Sequence, residues 1–207
     1  MSKHHRNRNW APAPQPLPED AHVIDNHTHV ASVVPFSQAM SHEAMEKGQG
    51  EVPVYSVDEL LEQAQKVGVE GVIDCGCELP NLMTAIDMAR EHPGTVHAAI
   101  AIHPNEAVLH GHRGASGPDG LPIKYKPWHD IPFDEAMAEV HRLATTYPNQ
   151  VVAIGETGMD LFRTGESAKE LQREAFRAHV ALAKELNLPM QIHDRDSHKE
   201  VIETLLA

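Results

Sequence analysis

The sequence predicts an α/β fold of the (β/α)₈-barrel class, with about the first five βα units present. Short apolar runs alternate with longer amphipathic runs five times over, the pattern of a parallel sheet with right-handed helical crossovers. The polar residues best suited to chemistry fall at the C-terminal ends of those short runs, as they do around a barrel mouth. An open doubly wound sheet would gather its site at one switch point, usually beside a glycine-rich phosphate loop, and the sequence has neither G-x-G-x-x-G nor G-x-x-x-x-G-K-[ST].

The elements follow in order. His22 to His29 (HVIDNHTH) is the first strand. Ser56 to Val67 is a helix that opens on a capping box, with Ser56 as N-cap and Glu59 three residues on, and Gly68 ends it. Val69 to Gly76 is the second strand, Pro80 to Glu91 the next helix, and Val96 to His103 the third strand. Phe133 to Thr146 is helical and Val151 to Gly158 is the fourth strand. Ser167 to Leu186 is a long helix with Leu171, Ala175, Phe176, Ala178 and Leu182 along its apolar stripe. Pro189 to Asp194 is the fifth strand, and Ser197 begins a fifth helix. Residues 30–55 and 104–132 read as long strand-to-helix loops over the catalytic face, the second rich in Gly and Pro. The histidines of that second loop, His110, His112 and His129, read as solvent-exposed.

Composition narrows the function classes. A chain of 207 residues with 41% hydrophobic and 23% charged content can bury one core of its own. Residues 1–21 read as a disordered basic and Pro-rich tail, and 22–207 as an incomplete barrel domain. No apolar run approaches the roughly 20 residues that span a bilayer, and the N-terminus has no apolar central stretch of a secretory signal. A formal net charge of −13 excludes a protein that coats nucleic acid through a broad basic surface, while leaving room for one that grips a phosphate through bound cations. Cys75 and Cys77 form a C-x-C inside an apolar run, poorly placed for a mutual disulfide, and read as reduced thiols in a cytoplasmic protein. No membrane contact and no stable protein partner is expected.

The candidate metal ligands are His27, His29, Glu156 and His193. His27 and His29 stand at i and i+2 at the end of a strand, on one side of it. Glu156 ends an otherwise apolar strand, where a carboxylate needs a partner: a cation, two of which its oxygens can bridge, or a salt bridge to a neighbouring loop. His193 ends the fifth strand in the same way. Arg195, two residues on, is either a phosphate clamp or a loop anchor. His103 touches a substrate phosphate, supports a ligand, or is structural. Mixed nitrogen and oxygen donors suit Mg²⁺, Mn²⁺ or Zn²⁺.

The segments D-N-H-T-H, A-I-H-P, G-E-T-G-M-D, Q-R-E-A-F and L-N-L-P-M-Q-I-H-D-R, in this order from about Val23 to the C-terminus, resemble the successive motifs of TatD-type metal-dependent deoxyribonucleases. The resemblance implies a TIM-barrel hydrolase that cuts phosphodiester bonds of DNA, often exonucleolytically, with two divalent metal ions. On that pattern His27 and His29 hold one ion, Glu156 bridges both, His193 holds the second, and His103 lies near the substrate phosphate. Glu156, His103 and Arg195 are the candidate catalytic residues. The pattern also calls for a further His after a sixth strand and an Asp after an eighth, beyond Ala207. The sequence therefore reads as a truncated barrel, inactive by itself. Two alternatives stand beside the deoxyribonuclease: an amide- or ester-cleaving metal hydrolase on the same barrel, and a non-catalytic product.

Overall fold

The computed structural model describes residues 16–18, 20–48, 53–112 and 124–207. Five strands, β1 (Val23–Thr28), β2 (Val69–Gly76), β3 (Val96–Ile100), β4 (Val151–Asp160) and β5 (Met190–Arg195), form one sheet in sequence order. Every neighbouring pair is parallel. Helices α1 (Val30–Glu46), α2 (Val57–Lys66), α3 (Leu79–Glu91), α4 (Pro104–Ala107), α5 (Phe133–Thr146), α6 (Lys169–Leu186) and α7 (His198–Leu206) fill the crossovers. This is the architecture of the first five βα units of a TIM barrel.

Local chemistry accounts for most of the boundaries. Ser56 caps α2: its hydroxyl accepts from Glu59 N at 3.2 Å, and the Glu59 carboxylate accepts from Ser56 N at 2.8 Å. Gly68 follows the end of that helix at φ +93°, a left-handed position where a side chain is strained. The described end of the N-terminal leader is anchored at the same turn, where Leu17 N donates to Val67 O at 3.0 Å; residues 1–15 of the expected tail lie outside the described residues.

One expected loop is a helix. Residues 30–46 of the stretch 30–55 form α1, despite Pro35 and three valines in its first five residues. Its buried residues are Ser37, Ser41 and Ala44, at i, i+4 and i+7. Helical spacing is present, but small and polar residues carry it, so hydrophobic periodicity does not reveal it. The described parts of 104–132 hold α4 and two short 3₁₀ turns, His110–His112 and Pro127–Asp130.

The two faces of the sheet differ in kind. The outer face presents Val72, Val96, Ala98, Ile100, Val151 and Ile154, which pack with Leu82 and Ile86 of α3, Val140 and Leu143 of α5 and Leu182 of α6 in the main core. Each large residue buried there contributes about 1.5–3 kcal/mol. The inner face holds a small cluster of Cys75, Ala99 and Ala153, beside Ile73 and Cys77. The sheet curls over this face far enough that Gln191 of β5 donates through Nε2 to Asn26 O of β1, although the two strands stand at opposite ends of the sheet order. Among the described residues, no helix is long and apolar enough to cross a membrane.

Helix α6 is tied to the end of β3 by His179, which is fully buried. Its Nε2 accepts from Ile102 N at 3.0 Å and its Nδ1 donates to Ala175 O at 2.8 Å, so both ring nitrogens are satisfied in the neutral form. Burial holds its pKa down to about 4, against the opposing pull of the Ala175 carbonyl. The unfolded ring takes up a proton near 6.5 and the folded ring only near 4. Stability from this residue is thus complete above pH 6.5 and falls as pH drops from 6.5 to 4, by a few kcal/mol. His179→Gln keeps an acceptor and a donor but cannot titrate. Urea denaturation at pH 7 and pH 4.5 is expected to show a smaller loss of stability for His179→Gln than for the parent chain, and an equal loss would exclude this account.

Candidate metal centre

Two interruptions of strand register create the site. In β1 the partners advance from Asp25↔Val72 to Thr28↔Asp74, three residues against two. Ile24 pairs with Gly71 on the inner face before this bulge; after it, Thr28 pairs with Asp74 on the outer face, and His27 and His29 turn inward. In β4 the partners advance from Ile154↔Met190 to Thr157↔Ile192, again three against two. The strand faces exchange there, and Glu156, Gly158 and Asp160 join His193 on the inner side. A bulge is a common device for re-aiming side chains beside a site.

The inward groups converge on one carboxylate. Glu156 Oε2 lies 3.6 Å from His27 Nε2 and 3.7 Å from His29 Nε2. The two rings meet edge to face, centroids 5.1 Å apart. Glu156 Oε1 lies 2.6 Å from His193 Nδ1 and 4.0 Å from His103 Nε2. His103 and His193 also meet edge to face, with His103 Nε2 3.2 Å from His193 Nδ1. Two groups, His27–His29–Glu156 and His103–Glu156–His193, each place their donor atoms within 4.8 Å of one another, and they share only Glu156. Imidazole nitrogens and a carboxylate at this spacing form a donor set that could hold divalent ions.

His29 and His103 are not strand residues. Each occupies the N-cap position of the helix that follows its strand, α1 and α4 respectively. Arg195 ends β5, its guanidinium stacked 4.0 Å above the Phe162 ring with no carboxylate partner among the described residues.

A family model described as TatD related DNase matches residues 24–207. The chain belongs to that family. It is 32% identical over 149 residues to the Bacillus subtilis protein named uncharacterized metal-dependent hydrolase YabD, covering 72% of this chain and 48% of that one. It is 32% identical over 148 residues to the Erwinia tasmaniensis protein named 3′-5′ ssDNA/RNA exonuclease TatD, with the same coverage of 72% and 48%. The chain thus spans about half the length of the curated relatives it matches. Two solved structures share the fold: a TatD homologue of Escherichia coli K12, YJJV (TM-score 0.58, 24% identity, 88% of this chain and 54% of that one), and a TatD-family hydrolase of Entamoeba histolytica (TM-score 0.60, 20% identity, 88% and 52%).

The electrostatics of this TatD-family site follow from its crowding. Burial alone would push the Glu156 carboxyl up, but the hydrogen bond from His193 and the charges of His103, His193 and His27 outweigh burial and hold it at about 2. For His193, burial pulls down and is outweighed by Glu156 and Asp160, so its pKa is raised. His103 goes the other way, to about 4, through burial and repulsion from His193. Its Nδ1 accepts from Asn105 N at 3.2 Å, so the neutral ring carries its one proton on Nε2, facing the site.

The cysteines lie against the same groups. Cys75 Sγ is 3.6 Å from His27 Nδ1 and 2.8 Å from Gln191 Oε1, and Cys77 Sγ is 3.8 Å from Glu156 Oε2. Both are free thiols. Burial and then the charge of Glu156 push Cys75 up to about 12, and the same causes raise Cys77.

Two of the loop histidines differ from expectation. His110 and His129 are fully buried, with His110 Nδ1 2.9 Å from Ile131 O and His129 Nε2 2.8 Å from Glu106 Oε2. They tie the loop to itself and to α4. His112 is exposed and lies 2.6 Å from Asp130.

Sequence reasoning missed two buried carboxylates. Asp160, 1% exposed, lies 3.1 Å from His193 Nε2. Its only sequence signal is the spacing of four from Glu156, which keeps both on one strand face. Asp74 of β2 accepts from Ala31 N at 3.4 Å and Thr28 Oγ1 at 3.5 Å, closing the start of α1 where His29 offers no side-chain cap.

Two measurements check these assignments. With divalent ions chelated, NMR titration is expected to place His193 above the ordinary histidine value, and Glu156→Gln to bring it down. At pH 8 Cys75 is expected to resist iodoacetamide until the chain is denatured; fast labelling of the folded chain would contradict its buried, protonated state.

Proposed function

We propose that this chain supplies the metal-binding part of a hydrolase that cleaves phosphodiester bonds of single-stranded nucleic acid through two divalent ions. The observation that carries the reading is the division of Glu156, with Oε2 toward His27 and His29 and Oε1 toward His193 and His103. A carboxylate so placed is suited to bridge two ions, His27 and His29 completing one set of donors and His193 joining the other. Two such ions would supply activation of a water and charge stabilisation for displacement at phosphorus. The relatives named as single-strand exonucleases indicate the substrate class.

The remaining groups have consistent roles. Glu156 stays ionised at neutral pH, as a bridging ligand must. His103 stays neutral with its proton on Nε2, which suits a hydrogen bond to a phosphate oxygen better than ligation of an ion. Arg195, stacked on Phe162 and free of carboxylates among the described residues, keeps its N–H fork for a phosphate. With a net charge of −13, affinity for a polyanion comes from these groups and the bound cations. The free thiols Cys75 and Cys77 suit a reducing compartment, and we infer a cytoplasmic site of action.

Among the described residues, Glu156 and His193 are the donors this reading gives the second ion, so the chain, which spans about half of its relatives' length, is expected to bind metal yet turn over far more slowly than they do. The test is an assay with Mn²⁺ on 5′-labelled single-stranded DNA and RNA, beside small amides, run with the chain in excess. EDTA is expected to stop the hydrolysis, and Glu156→Gln to lower it by roughly 10²-fold or more, beyond the effect of losing an outer partner of a ligand. Preference for amides, or hydrolysis indifferent to EDTA, would sink the reading.

A further inference from the structure

His193 is held between two carboxylates. Its Nδ1 lies 2.6 Å from Glu156 Oε1 and its Nε2 3.1 Å from Asp160 Oδ2. Asp160 has little freedom to move. Its Oδ1 accepts from Phe162 N at 3.0 Å and Arg163 N at 2.7 Å, and its Oδ2 accepts from Asn105 Nδ2 at 3.0 Å. Its backbone is gripped by the fully buried Gln172, whose Oε1 accepts from Asp160 N at 2.8 Å and whose Nε2 donates to Asp160 O at 3.0 Å. The carboxylate is fixed by its neighbours before His193 is considered.

We infer that Asp160 is a positioning residue that holds a proton on His193 Nε2, so that Nδ1, beside Glu156, is the nitrogen that would release its proton to solvent and offer a lone pair to a divalent ion. The inference rests on the metal centre proposed above. An ionised carboxylate only accepts, so without an ion both His193 nitrogens carry hydrogen, Nδ1 toward Glu156 and Nε2 toward Asp160. A neutral imidazole has one N–H, and Asp160, fixed by its neighbours, would keep it at Nε2 when an ion takes the place of the proton on Nδ1. A carboxylate behind a ligating histidine fixes both ring orientation and tautomer.

The environment of Asp160 makes a sharp variant available. In Asp160→Asn the amide oxygen is claimed by the two backbone N–H groups of Phe162 and Arg163, which leaves the NH₂ on the side of Asn105 Nδ2 and His193 Nε2. That NH₂ can only donate, so His193 must accept at Nε2 and carry its proton on Nδ1, the atom a metal ion would need. One nearly isosteric change thereby reverses the tautomer.

The experiment is zinc titration of the intact 207-residue chain and of Asp160→Asn against a competing chelator, with ¹⁵N-histidine NMR of the zinc-loaded proteins. The His193 signals are assigned by their loss in His193→Gln. The unaltered chain is expected to show Nε2–H at His193, and Asp160→Asn to show Nδ1–H with zinc affinity lowered roughly 10–100-fold. A folded Asp160→Asn chain with unchanged affinity overturns the role of Asp160. Should that variant not fold, the unaltered chain decides alone, since Nδ1–H at His193 in its zinc-loaded form overturns the inference equally. Failure of the unaltered chain to bind zinc is a different result: it removes the metal centre and the inference with it.

Discussion

The structure turns on a carboxylate placed where water is scarce and imidazoles are close. Glu156 is mostly buried, and an unpaired carboxylate there would cost several kcal/mol. It is tolerated because positive or polarisable partners approach it from two sides, His27 and His29 at one oxygen and His193 and His103 at the other. Two of the register shifts in the sheet serve that convergence. Without the bulge in β1, His27 and His29 would share the outward face of Asp25; without the one in β4, Glu156 would turn away from Ala153 and the interior. Gly158 belongs to the same arrangement. Its φ of +143° and the close approach of the His193 carbonyl leave no space for a Cβ, so β4 and β5 come together where Glu156 and His193 meet.

Much of this was legible in the sequence, for reasons that are local. The Ser56–Glu59 box and Gly68 mark the ends of α2 because caps are settled within a few residues. The strands are legible as apolar runs because helices cover their outer face. His27, His29, Glu156 and His193 stand out because a polar residue ending such a run needs a reason, and the fold brings all four together. What escaped is what depends on partners far along the chain. Strand parity alone would have set His27 on the face of Asp25, and only pairing with β2 reverses it. Asp160 acquires meaning from Gln172, Asn105 and His193, none of which its sequence neighbourhood announces. Helix α1 hides because its buried stripe is Ser37, Ser41 and Ala44.

The acidity of the chain and its proposed substrate are reconciled at the site. A polyanion would be repelled by a surface of net charge −13, yet the inward-facing groups are chiefly imidazoles, and bound divalent ions would reverse the local field. In the ion-free site, burial beside Glu156 keeps the neighbouring thiols Cys75 and Cys77 protonated. They act as compact apolar fill with weak contacts to His27 and Glu156.

The inner face shows how the floor beneath the site is built. Cys75, Ala99 and Ala153 are small, and Gly155 has no side chain; a Cβ there would stand 2.5 Å from that of Gln191. The space they leave is taken by the Gln191 side chain, which spans from β5 to the Cys75 thiol and on to the Asn26 carbonyl, one residue before His27. Large residues on that face would fill the same volume, but they would offer no partner to the Asn26 carbonyl, which lies within the β1 bulge. A polar side chain at Gln191 therefore satisfies the backbone that the re-aimed histidines leave exposed, and the placement of His27 depends on a strand at the opposite end of the sheet.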